Sequence, residues 1–273
     1  MALISAVHIE TAVTNNKTIL KKSFFSPPFK IADVTEDKSK GPLQLMVMSS
    51  SPGILDGDEY RFQIDVSENS YLQLKTQSYQ RLFQMNKGAV QFMNVNLGWS
   101  SSFCYLPHPL VPHQDSKFLS RNKIHVSDGS SLIWGEVMSC GRKLNGEVFK
   151  FSSYHSITEI FKDSKLVVKE NLLVNPGGTN PFSIGQLEGY THQASLIFVR
   201  EEVTISNLIQ KLVEDFSLLN DISFGVTELP VNGLIVRLLG HKAEQLFDLL
   251  KTIAACCDRF QQKNFIEAVK YVS

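Results

Sequence analysis

The segment from Cys104 to Asp115, CYLPHPLVPHQD, places a thiol, two imidazoles and a carboxylate close together in the chain. Cys104, His108, His113 and Asp115 are all types that ligate transition metals, and a metal held by them could activate water in a hydrolase. Their order, Cys-x3-His-x4-His-x-Asp, matches no specific zinc spacing, and three prolines bend the segment, so a stiffened surface loop is the plainer expectation. A second stretch, SSSPGILDGD from Ser49 to Asp58, packs two carboxylates among turn formers. Gly53 and Gly57 supply backbone freedom there, and Asp56 is expected to close a turn onto its own backbone. Asp58 differs, because it opens the alternating strand DEYRFQIDV and no turn requires it. It is expected to face a partner surface or a hydrated interior path.

Other chemistry is absent from the pattern. There is no Gly-x-Ser-x-Gly, no phosphate-cradling glycine loop and no His-Glu-x-x-His. NPGGTNP, Asn175 to Pro181, has no helix after it to lend an N-terminus to a phosphate, so it reads as a long turn. His8, His125, His155, His192 and His241 are scattered singletons with structural or exposed roles. Cys257 continues an apolar helical stripe, which favours burial over redox work. No enzyme active site is expected. The 27 basic and 27 acidic residues cancel, so neither nucleic acid nor an anionic membrane is favoured as a partner. No apolar window is long enough to span a bilayer, and the start lacks a signal-peptide pattern. With four cysteines in no framework spacing, a cytoplasmic protein with reduced thiols is expected.

The elements that must position these residues are mostly strands. YRFQIDV alternates, with Tyr60, Phe62, Ile64 and Val66 on one face, and YLQLKTQS repeats the pattern with Leu72, Leu74 and Thr76. Helical periodicity enters only after about Val199. SNLIQKLVEDFSLL aligns Leu208, Ile209, Leu212, Val213, Phe216 and Leu219, with Ser206 as its N-cap. KAEQLFDLLKTIAACC aligns Ala243, Leu246, Phe247, Leu250, Ile253 and Ala254. Between them a strand pair turns near Asn232 and Gly233. The predicted fold is mainly β: a β-rich body of packed or stacked sheets over residues 1–200, and a C-terminal β-α-β-β-α segment whose part after 200 spans 201–273 and packs on the body.

The body carries an internal echo. Val66 to Leu72, Leu97 to Phe103 and Val126 to Leu132 each run from an apolar anchor through small polar residues to another large apolar residue. The anchors are spaced by 31 and 29 residues. This suggests stacked coils of a short solenoid. Four residues beyond the second anchors come Thr76, Pro107 and Glu136, which stacking would align on one ridge with Thr76 and Glu136 about two strand spacings apart.

Six stretches occur in an order that resembles a known family: SPPFKI (from Ser26), SPGILDGD (from Ser51), LKTQS (from Leu74), YLPHPLVPHQDSKF (from Tyr105), GEVMSCGRKLNGEVFKF (from Gly135) and LEGYTH (from Leu187). They are similar to the urease accessory protein family UreD (UreH). The resemblance implies a β-rich fold with two helices and a non-enzymatic scaffold. It implies that the scaffold binds UreF, and through it UreG, and docks on apo-urease to help deliver nickel. Nickel would be in transit, with no stably bound cofactor. The motif residues Asp58, Thr76, Gln77, Glu136, Arg142 and Glu147 are then expected at a partner surface or along a polar passage, with Arg142 forking toward Glu136 and Glu147. Many members have a carboxylate and a phenylalanine where this chain has Cys104-Tyr105 and His113, so no family metal role transfers to that loop. The competing readings are the metal-dependent hydrolase above and a β-rich carbohydrate-binding module. The module would show exposed aromatic pairs, whereas Trp99 and Trp134 lie within or beside the repeated turns.

Overall fold

The computed structural model describes residues 4–38, 41–201 and 204–270. Residues 1–3 of the N-terminal stretch, and residues 202–203 and 271–273 of the C-terminal segment, lie outside the described residues. Two sheets face each other. One is seven-stranded and contains β1 (Ile4–Thr14), β2 (Lys17–Phe25), β5 (Glu59–Val66), β8 (Ala89–Leu97), β11 (Lys117–Val126), β13 (Ser153–Lys162) and β14 (Lys165–Val174). Its order is β14-β13-β11-β8-β5-β1-β2. The other is ten-stranded. Its main path runs β16 (Ser223–Glu228), β17 (Gly233–Gly240), β15 (His192–Arg200), β12 (Ser131–Ser139), β9 (Ser102–Tyr105), β6 (Tyr71–Thr76), β4 (Leu43–Ser49) and β3 (Phe29–Asp33). The short strands β7 (Gln80–Leu82) and β10 (Leu110–Pro112) pair with each other beside it, and β10 touches β12.

The anchors stack as their spacing predicts. Val66 and Leu97 are direct parallel neighbours, as are Ile64, Val95 and Ile124 two residues before the anchors, and Leu72, Phe103 and Leu132 at the other end of the turns. Each coil runs up a strand of the first sheet, turns, and returns along the second. The turns match residue for residue. Asn69, Ser100 and Gly129, each three positions after an anchor, share a left-handed backbone with φ of 56°, 52° and 66°. Ser70, Ser101 and Ser130 each send a backbone N–H back across the turn, to Ser67, Gly98 and Ser127, at 3.1–3.2 Å. Small polar residues are needed here because their hydroxyls close the turn. Ser101 Oγ donates to the Gly98 carbonyl at 2.8 Å and Ser130 Oγ to the Ser127 carbonyl at 2.6 Å. The stacked parallel strands are β1, β5, β8, β11 and β13 on one side and β4, β6, β9 and β12 on the other.

Alternation then fills two cores. Inward residues such as Ile64, Met93, Ile124, Leu72, Phe103 and Leu132 pack between the sheets. The opposite face of the second sheet, with Ile133, Leu196 and Val236, is covered by α1 (Ile205–Phe216) and α2 (Ala243–Lys270). Strands β16 and β17, from beyond residue 200, extend the same ten-stranded sheet. Two helix details depart from expectation. Helix α1 begins at Ile205, so Thr204 and not Ser206 takes the N-cap position, without a side-chain cap bond. Val213 is 41% exposed, and Leu219 lies past the helix end at 37%, so the buried stripe is narrower than the apolar pattern. Cys257 is fully buried, as its stripe position predicts.

Candidate functional site

The proline segment does not gather its metal-ligating side chains. Cys104 lies on β9 and points outward into the core beneath the helices, where burial pushes its thiol up to about 12 and removes the thiolate a metal needs. His108 lies past the end of β9, with its ring 4.9 Å from that of Phe247 on α2. Its backbone N–H donates to Thr76 Oγ1 at 2.8 Å, and the hydroxyl lies 3.1 Å from Nδ1, so it donates there and leaves the ring proton on Nε2. Burial, and beyond it the charge of Lys251, hold His108 below the ordinary histidine range. His113 packs edge-on against Phe83 at 4.9 Å, and Asp115 accepts long bonds from Gln84 and Gln114. Among the described residues no three His, Cys, Asp or Glu side chains converge to hold a metal. The path of the chain explains the dispersal: Cys104 is on β9, His108 follows that strand's end, and His113 and Asp115 follow the separate short strand β10.

The acidic turn is also better explained by structure than its sequence suggested. Asp58 Oδ2 accepts from the Leu55 N–H at 2.8 Å and from the Tyr60 hydroxyl at 2.9 Å, so a turn does require it. Asp56 reaches away from its own turn and accepts the N–H groups of Lys87 and Gly88 at 2.8 and 3.0 Å. Gly57 has φ +84°, as a turn glycine should. Gly53 has an ordinary backbone. Its role is close approach, since a Cβ there would sit 2.4 Å from the Arg81 carbonyl.

Arg142 pairs with Glu147 through both Nε, at 2.9 Å, and a second guanidinium nitrogen, and not with Glu136. Glu136 is on β12 and faces the interior, whereas Arg142 follows the strand's end on the surface. Glu147 also accepts the Gln114 N–H at 3.2 Å, so the fork ties the loop at Lys143–Asn145 to the proline segment. Arg142→Ala should therefore loosen this loop locally. Tryptic cleavage after Lys143 should quicken several-fold with little change in Tm, and Arg142→Lys should not restore protection, because an ammonium cannot close both bonds.

The remaining motif residues converge between the sheets. Leu74, Tyr105 and Trp134 are parallel neighbours, and two residues further along are Thr76, Pro107 and Glu136. The paired ladder ends at Leu74, Tyr105 and Trp134, and continued at the same strand spacing it puts Thr76 and Glu136 about 10 Å apart. The row runs on across antiparallel neighbours, from Glu136 to Ser195 on β15 and to Arg237 on β17. Facing it from the first sheet is the row Met93, Asn122, Thr158 and Glu170.

Glu136 is the centre of this polar seam. It accepts from Ser156 Oγ at 2.8 Å, Trp134 Nε1 at 3.1 Å, Asn122 Nδ2 at 3.2 Å and Thr158 Oγ1 at 3.4 Å. Burial holds its carboxyl above the usual glutamate range, partly offset by these donors and reinforced by the charge of Glu170. It keeps contact with an interior cavity of about 40 Å³ that also reaches His108, Ser120 and Asn122. A second cavity, of about 100 Å³, shares Gln80, Gln91 and Tyr105 with the first. Its lining includes Ser51, Pro52 and Gly53 and also Thr76, Gln77 and Ser78. Two stretches distant in sequence, SPG and TQS, therefore line one cavity, which adjoins the cavity that Glu136 lines. Ser195, Glu170 and Arg237 carry no motif signal in the sequence, and only the strand register brings them into line.

Fold and interior together define a class: a stacked-coil β body, helices on one flank, hollowed along a polar seam. The UreD urease accessory protein family model matches residues 5–268, and the chain belongs to that family. It is similar to proteins named urease accessory protein UreD from several bacteria. That of Flavobacterium johnsoniae is 44% identical over 252 residues, covering 92% of this chain and 91% of the relative. That of Acetivibrio thermocellus is 36% identical over 250 residues, covering 91% and 95%. Among the described residues no helix is long and apolar enough to cross a membrane.

Proposed function

We propose that this chain is a non-enzymatic scaffold of urease maturation. In this reading it binds UreF directly and UreG through UreF, docks on apo-urease in the cytoplasm, and supports nickel delivery, with nickel passing along the seam as cargo. The observation that carries the reading is the convergence of SPG, TQS, His108 and Glu136 on two adjoining interior cavities. A hydrated divalent cation moving through protein needs walls of oxygen, and nickel accepts such ligands. The seam supplies hydroxyls, amides and one carboxylate, and the neutral His108 beside it carries no repelling charge. Separation of Cys104, His113 and Asp115 from this seam argues against the hydrolase reading.

The partner half is tested by co-expression. Tagged chain should retain UreF in pull-down at physiological salt and gain solubility from it, as expected for an interface burying about 1,200–2,000 Å² or more. A monodisperse chain that ignores UreF would sink the scaffold reading.

A further inference from the structure

Two Asn-Gly pairs occur in the chain, Asn145-Gly146 and Asn232-Gly233. In such a pair the glycine carries no Cβ to shield its nitrogen, which can attack the asparagine side chain. The two pairs meet different surroundings. Asn232 Nδ2 donates to the carbonyls of Arg200 and Glu201 at 2.7 and 2.6 Å, and its own carbonyl accepts the Arg200 N–H at 2.8 Å. Gly233, which opens β17, is packed so closely that a Cβ on it would sit 2.4 Å from the Phe198 carbonyl oxygen. Asn145 and Gly146 are both exposed, and the Asn145 amide bonds to none of the described residues. Asn145 ends the short 3₁₀ turn begun at Lys143, and Gly146 caps it with its N–H on the Lys143 carbonyl at 3.0 Å. An isolated 3₁₀ turn has poor hydrogen-bond geometry and opens at little cost. What holds this one shut is the Arg142–Glu147 fork, whose members flank it on both sides.

We propose that Asn145-Gly146 is a site of spontaneous deamidation and that the Arg142–Glu147 fork sets its rate. When the turn opens, hydroxide takes the proton of the Gly146 nitrogen, and that nitrogen bonds to Cγ of Asn145. The Cγ–Nδ2 bond breaks, and the amide leaves as ammonia after taking a proton from water, which restores the hydroxide. The cyclic imide that remains adds water at either carbonyl. One opening gives an aspartate, and the other an isoaspartate, in which the backbone runs through the former side chain. Either product places a carboxylate three residues from Arg142 and two from Glu147, a second acceptor competing for the guanidinium. Isoaspartate also lengthens the backbone just before Gly146, whose left-handed φ of 79° closes the turn. The product therefore weakens the fork that restrained its formation. The inference needs nothing from the partner or passage readings.

To test this, the intact chain is held at 37 °C and pH 7.4 or 9, then digested with pepsin in acid, where cyclisation stops. Tandem mass spectrometry reads the exchange of amide for acid at Asn145 and at Asn232 in the same sample. Asn145 should convert at least tenfold faster than Asn232, and faster at pH 9, because hydroxide starts the reaction. Unfolded in 8 M urea, the two sites should come within about threefold of each other, since both are Asn-Gly pairs. Arg142→Ala should speed Asn145 at least threefold and leave Asn232 unchanged, and Arg142→Lys should not restore the slow rate. Equal rates at the two sites in the folded chain, or the same gap folded and unfolded, would overturn the site. An Asn145 rate unchanged by Arg142→Ala would remove the fork from its control.

Discussion

Glu136→Gln should fold, bind its partners and fail to support urease maturation, while being more stable than the parent. The two effects share one cause. Burial raises the Glu136 carboxyl, so the folded chain keeps its proton to a higher pH than the unfolded chain. That preference favours the folded state at acid pH and is lost as pH rises through the folded value. Above it, holding an ionised carboxylate in the seam costs stability. A glutamine of the same shape removes the cost, and each kcal/mol recovered raises Tm by about 2–4 °C for a chain of this size. The gain should appear at neutral pH and fade as pH falls below the unfolded glutamate range. Maturation should drop at least tenfold, because the amide leaves the seam without its central negative charge. Melting curves at several pH values beside a urease activation assay check both arms. Full maturation in a stabilised variant would show that the charge is not needed for passage. Lower stability would mean that Ser156, Trp134, Asn122 and Thr158 repay more than burial costs.

Phe103→Ala should be the most damaging single truncation. The ring is 1% exposed, sits between Leu72 and Leu132 in the middle coil, and stacks 6.4 Å from Tyr105. Coils on both sides fix its neighbours, so the cavity cannot collapse, and the expected loss is about 3–5 kcal/mol. That corresponds to a fall in Tm of roughly 10 °C. Trp99, four residues earlier in the same repeat, is 57% exposed, and its alanine variant should change stability by about 0.5 kcal/mol or less. Denaturant melts of the two variants compare them directly. Equal losses would mean that the turn, and not the stacked row, holds the coil.

Much of this fold could be read from residue patterns, and the parts that could not have a common reason. The 31- and 29-residue spacing located the coils because each coil repeats the same local turn, and local turns are written in short sequence. The ridge of Thr76 and Glu136 followed by counting along parallel strands. Beyond Glu136 the neighbours are antiparallel, and their register depends on loops whose lengths carry no period, so Ser195, Arg237 and Glu170 stayed hidden. Arg142 was matched with Glu136 as well as Glu147 because the sequence does not mark where β12 ends. Asp58 looked free because its acceptor role is to the Leu55 N–H and the Tyr60 hydroxyl, bonds that residue type alone does not announce. The four ligand-like residues of the proline segment misled for the converse reason, since they are close in sequence but distributed over β9, β10 and the turns that follow each.

The parallel stack has antiparallel ends. Strand β2 closes one end of the first sheet and β14 the other, while β3 and the β15-β17-β16 group close the second. A ladder of identical parallel coils is a template that another molecule could extend indefinitely, as in a fibre. Here the last rung on each side runs the wrong way to be copied. The outermost strands of the first sheet also carry Lys17, Lys21 and Lys22 on β2 and Lys165 and Lys169 on β14, charges that discourage edge-to-edge pairing. The same architecture that repeats inside the molecule thereby meets, at each end, a strand that another copy of the coil cannot continue in parallel.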